Sequence, residues 1–441
     1  MPRKAARAPL NVFLNGQLVG QLAKKADGAV SFSYTTQWLE RSDAFPVSLS
    51  LPLRATRFTG ERVSAVFENL LPDSKPIRTR VAERVGAAGT DAYSMLAEIG
   101  RDCVGALQFL PDGVEPGSLA AIEGTPVDDT QIEAILKNLA TAPLGLNQDD
   151  DFRISIAGAQ EKTALLRRGE RWLKPTGTTP TTHLFKPQIG QLPNGIDLSN
   201  SVENEYFCLK LMSAFGLKAN AAEMATFGET RTLIIERFDR LWAGDGRLLR
   251  LPQEDCCQAF SVAPTRKYEN EGGPGIPAIL DLLQGSDDPQ GDQIAFLQSQ
   301  MIFWLIGATD GHGKNYSIAL LPGGRFRLTP FYDVLTAEPS LSAHQMGRNQ
   351  MKLAMAVGAK RHYRMSEIHG RHFVETARAA NMPDALTRRA VDGVMERCEA
   401  AFASVADELP KEFPQHILAD TRSAALKRLN DLATAHGEWR S

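Results

Sequence analysis

Short apolar runs separated by turn residues fill the first 110 positions of this chain, and they predict a β-rich beginning. Residues 11–20 hold two apolar runs joined by Asn15-Gly16, which predicts a hairpin because a type I′ turn needs positive φ at both central residues. Further runs predict a strand at 32–35, helices at 63–71 and 76–85, and a strand at 104–110. We therefore predict a small α+β domain over residues 1–110.

A second set of strand patterns follows a stretch with proline and glycine, which we predict to be a linker over residues 111–130. The strands are predicted at 153–156, 163–166, 183–186 and 232–235, with a turn of small residues at 157–162. Asn200 opens a predicted helix, since Glu203 stands three positions later as in a reciprocal cap. These elements predict a compact lobe over residues 131–250.

From about residue 289 the apolar residues recur with the period of a helix. Ile294, Leu297, Met301 and Leu305 share one helical face, and the helix is predicted to end at Gly307. Runs at 317–321 and 325–329 straddle Pro-Gly-Gly and predict a hairpin. Two more helical stripes follow, one made of Leu386, Ala390, Val394 and Cys398 and one within residues 417–436. We predict a mostly helical C-terminal lobe over residues 251–441.

Composition narrows the class of protein. Hydrophobic residues make up 43% and charged residues 23% of the 441 positions, as in ordinary globular proteins. A net charge of −3 gives no global attraction to nucleic acid, so a DNA role would need a local patch or a partner. Five cysteines without a CxxC pair fit reduced thiols. No apolar run is long enough to span a bilayer, so we expect a cytoplasmic protein without membrane contact.

Three polar residues flank the predicted hairpin. Asp310 and Asn315 lie five positions apart just after the predicted helix, and Asp333 follows the second hairpin strand. Folding the hairpin brings these side chains towards one end. Their spacing is that of protein-kinase centres, where one carboxylate accepts a hydroxyl proton while an amide oxygen and a second carboxylate hold Mg²⁺ beside the phosphates of ATP.

Each of these residues also has a purely structural alternative. Asp310 is followed by glycine, and Asp-Gly often turns a chain after a helix. Asn315 and Asp333 can serve as hydrogen-bonding residues of a turn and a hairpin end. His312 suggests base or zinc chemistry, but no second His or Cys stands at ligand spacing, so a loop-organising or phosphate-contacting role is favoured.

The predicted lobe over 131–250 contains candidates for nucleotide binding. Small residues in 157–162 allow backbone N–H groups to approach phosphates, although an ordinary hairpin would need them too. Lys186 lies on an apolar strand, where a lysine is costly unless paired, so it is a candidate for gripping phosphates; the alternative is a snorkelling lysine. Residues 236–238 leave a β-branched strand and can present backbone groups to adenine or form a surface ion pair.

Five long motifs carry a family resemblance. They are Ser155-Ile-Ala-Gly-Ala-Gln-Glu-Lys162, Leu251-Pro-Gln-Glu-Asp255, Gly272-Gly-Pro-Gly275, Trp304-Leu-Ile-Gly-Ala-Thr-Asp-Gly-His312 and Leu328-Thr-Pro-Phe-Tyr-Asp333. Together they resemble the HipA family of toxin serine/threonine kinases over nearly the whole chain. The expected fold is α+β and two-lobed, protein-kinase-like, with a small β-rich N-terminal domain and a mostly helical C-terminal lobe.

The resemblance implies a role for each candidate residue. Asp310 would be the catalytic base, and Asn315 and Asp333 the Mg²⁺ ligands. Ser155 matches the serine that family members autophosphorylate, and a phosphate there would expel the phosphate loop by charge repulsion. The residues implied in ATP binding are Ala157, Gly158, Ala159, Gln160, Glu161, Lys162, Lys186, Glu236, Arg237, Phe238, His312, Gly313, Lys314 and Asn315. It stays open which of Glu203 and Glu205, if either, pairs with Lys186.

The resemblance also implies partners. Family members bind a helix-turn-helix antitoxin, HipB, that sits on operator DNA, and they phosphorylate glutamyl-tRNA synthetase to halt translation. The stretch comparable to the family's DNA-contacting residues, 379–383, contains no basic residue. We therefore expect operator DNA to be reached mainly through the antitoxin.

Two other functions remain open at this point. The catalytic triad alone also permits a small-molecule phosphotransferase of similar build, which would turn over sugars or aminoglycosides. A non-enzymatic co-repressor would use the same fold only to grip an antitoxin on DNA, and such a scaffold would not bind ATP.

Overall fold

The computed structural model describes residues 8–146 and 151–439, which divide into two compact units. The first unit comprises the described residues up to Pro187 together with Ala225–Thr265 and Ile318–Arg325, and the second comprises Gln188–Met224, Arg266–Ser317 and the described residues from Phe326 onward. Both units are therefore discontinuous in sequence. Within the described ranges, no helix has the length and apolar character needed to cross a bilayer.

Strands and helices are numbered along the chain. The strands are β1 Leu10–Leu14, β2 Gln17–Lys24, β3 Val30–Tyr34, β4 Phe58–Thr59, β5 Leu107–Leu110, β6 Gly124–Val127, β7 Thr163–Arg168, β8 Arg171–Pro175, β9 His183–Pro187, β10 Gly190–Gln191, β11 Asp197–Leu198, β12 Ala222–Phe227, β13 Thr230–Glu236, β14 Arg240–Trp242, β15 Leu248–Arg250, β16 Gln253–Asp255, β17 Ser317–Leu320, β18 Phe326–Leu328, β19 Lys352–Val357 and β20 His362–Arg364. The helices are α1 Thr36–Leu39, α2 Glu61–Glu68, α3 Lys75–Val85, α4 Ala92–Ile99, α5 Asp129–Lys137, α6 Ser201–Ala214, α7 Cys256–Ala259, α8 Ile276–Leu283, α9 Pro289–Ile306, α10 Glu338–Ser342, α11 Gly370–Ala379, α12 Asp384–Glu408 and α13 Gln415–Leu432.

The first unit begins with a five-stranded antiparallel sheet of order β4-β3-β2-β1-β5. The predicted hairpin is confirmed, because β1 and β2 pair around Asn15 and Gly16, whose φ angles are 46° and 81°. The predicted strand at 32–35 corresponds to β3, and the predicted helices at 63–71 and 76–85 correspond to α2 and α3. The α+β character of the first 110 residues follows from this sheet and the helices α2–α4 beside it.

A second sheet in the first unit has the strand order β12-β13-β9-β7-β8-β6. Three of the predicted strands lie in it, as parts of β7, β9 and β13. The strand predicted at 153–156 is wrong: this segment is extended, but only Ser155 forms an isolated pair, with Cys103. Its apolar side chains instead enter the core of the N-terminal sheet, where Ile154 and Ile156 are buried. The predicted linker at 111–130 contains β6 and the start of α5.

A buried charged cluster joins distant parts of the first unit. The Asp102 carboxylate contacts Arg240 at 2.8 Å, Arg250 at 3.1 Å and Arg237 at 3.3 Å, and Arg237 also pairs with Asp239 at 2.8 Å. Burial disfavours the charged form of Asp102, but the arginines outweigh it and hold the pKa of this carboxyl well below its ordinary value. The cluster therefore holds the end of α4 to the segment around β14 and β15.

The motif at 251–255 ties β16 to the N-terminal domain. Glu254 is buried, and its Oε1 accepts a 2.7 Å hydrogen bond from the N–H of Leu49. Asp255 caps α7 in a reciprocal arrangement with Gln258, and the Gln258 side chain donates to the carbonyl of Val66 at 3.0 Å. The motif is thus explained by packing and capping within the first unit.

In the second unit, α6 begins differently from the prediction. Asn200 precedes the helix, but its side chain makes no capping hydrogen bond, so the predicted cap with Glu203 is wrong. Gln188 takes that place: its Oε1 accepts from the N–H of Val202 at 2.9 Å and from Ser201 Oγ at 3.1 Å, while its Nε2 donates to Glu203 at 2.7 Å. A residue 14 positions before Val202 cannot be recognised as a cap from local sequence.

Helix α9 lies in the middle of the second unit. It ends, as predicted, at Gly307, which has a φ of 70° in the left-handed region. The prediction of one apolar face is incomplete, because every residue from Phe296 to Ile306 is buried. Helices α8, α11, α12 and α13 contact it, and a helix enclosed in this way is buried around its whole circumference. In α12, Ala390, Val394 and Cys398 of the predicted stripe are buried.

Strands β17 and β18 form the predicted hairpin. Leu321 N–H donates to the carbonyl of Arg325 at 2.7 Å near the turn, and Thr329 N–H donates to the carbonyl of Ser317 at 3.0 Å at the open end. Gly323 between the strands has a φ of 75°, which a residue with a side chain rarely adopts. The open end of this hairpin returns the chain from Asn315 to the segment that contains Asp333.

Candidate active site

The segment after α9 folds into a tight loop that fixes Asp310 and Asn315 relative to each other. The carbonyl of Asp310 accepts a 2.7 Å hydrogen bond from Asn315 Nδ2 and a 2.8 Å bond from the N–H of His312. The N–H of Asn315 donates to the carbonyl of His312 at 2.9 Å. Because the amide nitrogen of Asn315 is held by Asp310, its amide oxygen is the atom left for a cation.

The loop is built around a glycine that cannot be replaced easily. A Cβ atom on Gly311 would lie 2.7 Å from the Phe303 ring and 2.9 Å from the hydroxyl of Tyr316. Both rings are buried in the second unit. The backbone of residues 310–312 therefore lies directly on this core, which explains why Asp310 is followed by glycine.

The Asp310 carboxylate faces solvent, with 61% of its side chain exposed. Its Oδ1 accepts a 2.5 Å hydrogen bond from the hydroxyl of Tyr268. His312 is buried beside it, with Nε2 4.0 Å from Oδ2 of Asp310, too far for a hydrogen bond. An exposed carboxylate on an immobilised backbone is suited to accept a hydrogen bond from an incoming hydroxyl.

Tyr332, which precedes Asp333 in sequence, contacts the same loop. Tyr332 donates a 2.8 Å hydrogen bond from its hydroxyl to the carbonyl of Lys314, next to Asn315. Asp333 has a φ of 58°, the left-handed conformation that is uncommon for residues other than glycine. Residues other than glycine that are kept in such an uncommon backbone conformation occur most often at functional sites. Asp310 and Asn315 thus lie together in one loop, and the convergence of Asp333 with them stays a prediction.

The segment that carries Asp333 is also anchored on both sides. Phe331 N–H donates to the carbonyl of Lys218 at 2.8 Å, and Asn220 N–H donates to the carbonyl of Phe331 at 2.9 Å. On the other side, Thr336 exchanges two hydrogen bonds with the Asn204 side chain of α6, at 2.8 and 2.9 Å. These hydrogen bonds fix the backbone on both sides of Asp333.

Oxygen ligands for Mg²⁺ are available in this arrangement. Asn315 offers an amide oxygen and Asp333 a carboxylate, which are the hard donors that this ion prefers, with water completing the coordination. Among the described residues, no group of three or more His, Cys, Asp or Glu side chains could hold a metal ion.

In the first unit, residues 157–162 form a compact loop. Gly158 has a φ of 108°, and a Cβ atom on it would lie 2.4 Å from Nζ of Lys162. That ammonium donates to the carbonyl of Ala157 at 3.0 Å, which closes the loop. Gln160 Nε2 donates to the carbonyl of Pro187 at 3.2 Å, and Ala159 is exposed.

The N-terminal domain holds this loop from outside. Asp73 N–H donates to the carbonyl of Gly158 at 3.0 Å, and Arg80 of α3 pairs with Glu161 at 2.6 Å. Ser155, just before the loop, is fully buried, and its Oγ donates to the carbonyl of Leu70 at 2.8 Å. Neither Arg80 nor Leu70 was recognised from the sequence, because contacts between segments more than eighty residues apart leave no local pattern.

The remaining predicted nucleotide contacts lie on β9 and at the end of β13. Lys186 is buried on β9, opposite Leu233. Glu236 is exposed and Phe238 is half-buried. The Arg237 guanidinium belongs to the buried cluster around Asp102 and is only 3% exposed, so a nucleotide contact by this residue is restricted to its backbone. His312, Gly313 and Lys314 are buried in the loop after α9.

Comparisons with known proteins agree over most of the chain. The HipA N-terminal domain model matches residues 10–110, and the HipA-like C-terminal domain model matches residues 154–405. The Sinorhizobium fredii protein Y4mE, which is named as a kinase, is 33% identical over 405 residues and covers 90% of this chain and 92% of its own length. The serine/threonine-protein kinase toxin HipA of Shewanella oneidensis is 27% identical over 345 residues, 75% of each chain.

A solved structure of a HipA protein has the same fold as this chain. A chain in the complex of HipA, HipB and operator DNA from Shewanella oneidensis MR-1 superposes with a TM-score of 0.80 and 24% identity, over 97% of this chain and 99% of its own length. The predicted α+β, two-lobed kinase-like fold is thereby confirmed. The HipA-like family model spans residues 154–405, and one relative is 33% identical over 90% of the chain. This protein therefore belongs to the HipA family and is a serine/threonine-protein kinase.

Proposed function

We propose that this chain is the toxin of a toxin–antitoxin module and transfers the γ-phosphate of ATP to serine or threonine hydroxyls with the help of Mg²⁺. The observation that carries the proposal is the exposed Asp310 carboxylate on a loop braced by Asn315, a loop to which the neighbour of Asp333, Tyr332, is hydrogen-bonded. A pure antitoxin-binding scaffold has no need of an exposed carboxylate in a loop braced by an asparagine five positions later.

The residues divide the chemistry among them. Asp310 accepts the proton of the attacking hydroxyl, a step that typically contributes 10²–10⁴-fold to the rate. Asn315 and Asp333 hold Mg²⁺, which when bound neutralises charge on the ATP phosphates. In the first unit, the N–H groups of residues 157–162 and the ammonium of Lys186 bind phosphate oxygens, and the backbone of 236–238 contacts adenine. His312, Gly313 and Lys314 shape the loop around Asn315.

Ser155 is proposed as a self-phosphorylation site that silences the enzyme. Its hydroxyl is fully buried and bonded to Leu70, so phosphorylation requires residues 155–162 to leave the N-terminal domain. A phosphate carries up to two negative charges and cannot return to a site without solvent. The modified chain would therefore keep its phosphate loop displaced.

A HipB-type antitoxin and operator DNA are the proposed partners, since the matched Shewanella structure is a complex of HipA with both. The proposed protein substrate is glutamyl-tRNA synthetase, as the family resemblance implies. Incubating the purified synthetase with this kinase and labelled ATP tests the substrate separately from the self-reaction.

One experiment tests the central proposal. Full-length protein is incubated with labelled ATP and Mg²⁺ and then digested with trypsin, which releases residues 154–162, where Ser155 is the only hydroxyl-bearing residue. We expect label in this peptide for the wild type and for the control Asp281→Ala, which alters an exposed carboxylate on α8, and none for Asp310→Ala. Labelling by Asp310→Ala would overturn the assigned base.

Calorimetry with ATP completes the test. Asp310→Ala should bind ATP as the wild type does, whereas Lys186→Ala should lose most of its affinity. A wild type that binds no ATP would favour the scaffold alternative. Turnover of sugars or aminoglycosides without any labelled serine would favour a small-molecule phosphotransferase.

A further inference from the structure

The Gly272-Gly-Pro-Gly275 motif lies away from the proposed nucleotide-binding residues in sequence, yet it closely follows Tyr268, which contacts Asp310. The N–H groups of Glu271 and Gly273 both donate to the carbonyl of Tyr268, at 3.0 and 2.8 Å. These bonds fold residues 268–273 into a tight turn. The turn begins at the tyrosine whose hydroxyl donates to Asp310 Oδ1 at 2.5 Å.

The glycines of the motif are required by this turn. Gly272 has a φ of 100°, and a Cβ atom on Gly273 would lie 2.5 Å from the carbonyl oxygen of Lys267. A Cβ atom on Gly275 would lie 2.4 Å from Oε1 of Glu269. Side chains at these positions would push apart the backbone on which Tyr268 stands, because at least one of the opposing atoms is rigid backbone.

The turn is fastened at two points within the second unit. Glu269 accepts a 2.5 Å hydrogen bond from the N–H of Ala356 on β19, and it pairs with Arg361 at 3.2 Å. The carbonyl of Lys267 accepts from the N–H of Gly313 at 3.2 Å, which joins the turn to the loop that carries Asp310. The backbone of Tyr268 is therefore held by the contacts of its two neighbours in sequence, Lys267 and Glu269.

The ring of Tyr268 is also positioned against the loop. It meets the His312 ring edge-on, with centroids 5.0 Å apart and an interplanar angle of 85°. A Tyr268→Phe substitution would keep the packing of the ring against His312 and would remove the hydrogen bond to Asp310. This separation makes the role of the hydroxyl testable.

An exposed carboxylate needs such a partner to be oriented. The terminal torsion of an aspartate is broad, so an exposed Asp310 carboxylate would otherwise sample many orientations. His312 is 4.0 Å from Oδ2 and does not fix it. A hydroxyl-to-carboxylate bond of 2.5 Å is short and charge-assisted, and it fixes the orientation of the carboxylate through one of its two oxygens.

We propose that Tyr268 is a positioning residue for the phosphotransfer reaction and that the Gly272–Gly275 turn exists to present it to Asp310. With Oδ1 engaged by the tyrosine, Oδ2 is the oxygen that receives the hydrogen bond of the incoming serine or threonine hydroxyl. A small displacement of a reacting group from its productive position lowers the reaction rate strongly. The inference rests on the proposed role of Asp310 as the base.

The test compares self-labelling rates of full-length variants at saturating labelled ATP and Mg²⁺. Tyr268→Phe should lower the first-order rate about 10- to 100-fold, the range expected for loss of a hydrogen bond to a charged group, while the half-saturating ATP concentration and the thermal unfolding midpoint stay close to those of the wild type. Tyr206→Phe, which removes a tyrosine hydroxyl on α6 of the second unit, should label at the wild-type rate.

A second variant acts on the turn and leaves the tyrosine in place. Gly273→Ala should lower the rate to a similar degree, and adding Tyr268→Phe to it should cause little further loss, because both changes remove one interaction. Gly244→Ala, where a Cβ atom meets nothing within 4 Å, is the matched control. A Tyr268→Phe rate within twofold of the wild type, or above it, would overturn the inference alone. A wild type that labels no serine would overturn the proposed function, and the inference with it.

Discussion

Ser155 Oγ donates a 2.8 Å hydrogen bond to the carbonyl of Leu70 and has no exposed surface. The proposed modification site is thus closed by the N-terminal domain. Ser155→Ala should abolish label in the tryptic peptide 154–162 and should lower the free energy of unfolding by about 1–3 kcal/mol, because a buried carbonyl loses its donor. Urea unfolding measures the second effect. The exposed Ser199→Ala should change neither, and label elsewhere in the chain after Ser155→Ala would contradict the assignment.

Arg80 should slow the self-reaction by holding the phosphate loop. It contacts Glu161 at 2.6 Å, with both side chains about one-third exposed. Such a pair contributes at most about 1 kcal/mol, so Arg80→Ala should leave the unfolding midpoint nearly unchanged. The loop would leave Leu70 more readily, and Ser155 labelling should rise up to about fivefold. The control is Arg41→Ala, which breaks an ion pair with Asp43 elsewhere on the surface; an unchanged or slower rate in Arg80→Ala would contradict the proposal.

Asp333→Asn should raise the Mg²⁺ requirement without disturbing the fold. Asparagine tolerates the φ of 58° as aspartate does, and it keeps an oxygen ligand but loses the negative charge. The Mg²⁺ concentration for half-maximal labelling should rise at least about tenfold at fixed ATP, since charge count sets affinity at such sites. Asp281→Asn serves as the control, and chelation of Mg²⁺ should abolish labelling in every variant. An unchanged Mg²⁺ requirement would remove Asp333 from the metal site.

Glu254 should make stability fall as pH rises. Burial raises its pKa to about 8 against an ordinary 4.5, although the N–H of Leu49 favours the charged form. A raised folded-state pKa means that its contribution is fully present below pH 4.5 and is lost as pH rises to about 8. Between pH 5 and pH 8.5 the wild type should lose on the order of 2–4 kcal/mol relative to Glu254→Gln. Urea unfolding at both pH values measures this, with the exposed Glu170→Gln as control; parallel pH profiles would contradict it.

Local chemistry made much of the fold predictable. Asn15-Gly16 admits few backbone conformations, and Gly307 after an apolar helix is a strong end signal, so both predictions are confirmed. The loop between Asp310 and Asn315 is short enough for sequence spacing to bring the two residues together. These features depend on neighbours along the chain.

The features that sequence reasoning missed depend on distant neighbours. The helix cap supplied by Gln188, the full burial of α9 and the role of Tyr268 all arise where separate segments meet. Only the glycines after Tyr268 could have signalled a special turn, and they do not reveal what the turn faces. The extended run at 153–156 looks like a strand because its apolar side chains are buried by the N-terminal domain.

The arginine cluster around Asp102 also bears on the order of events during synthesis. Residues 10–110 leave the ribosome first, but the partners of Asp102 follow at least 79 positions later, and Arg250 follows 148 positions later. A buried carboxylate without its cations is strongly unfavourable. We therefore expect the Asp102 carboxylate to stay in contact with water until the segment up to about residue 250 has left the ribosome.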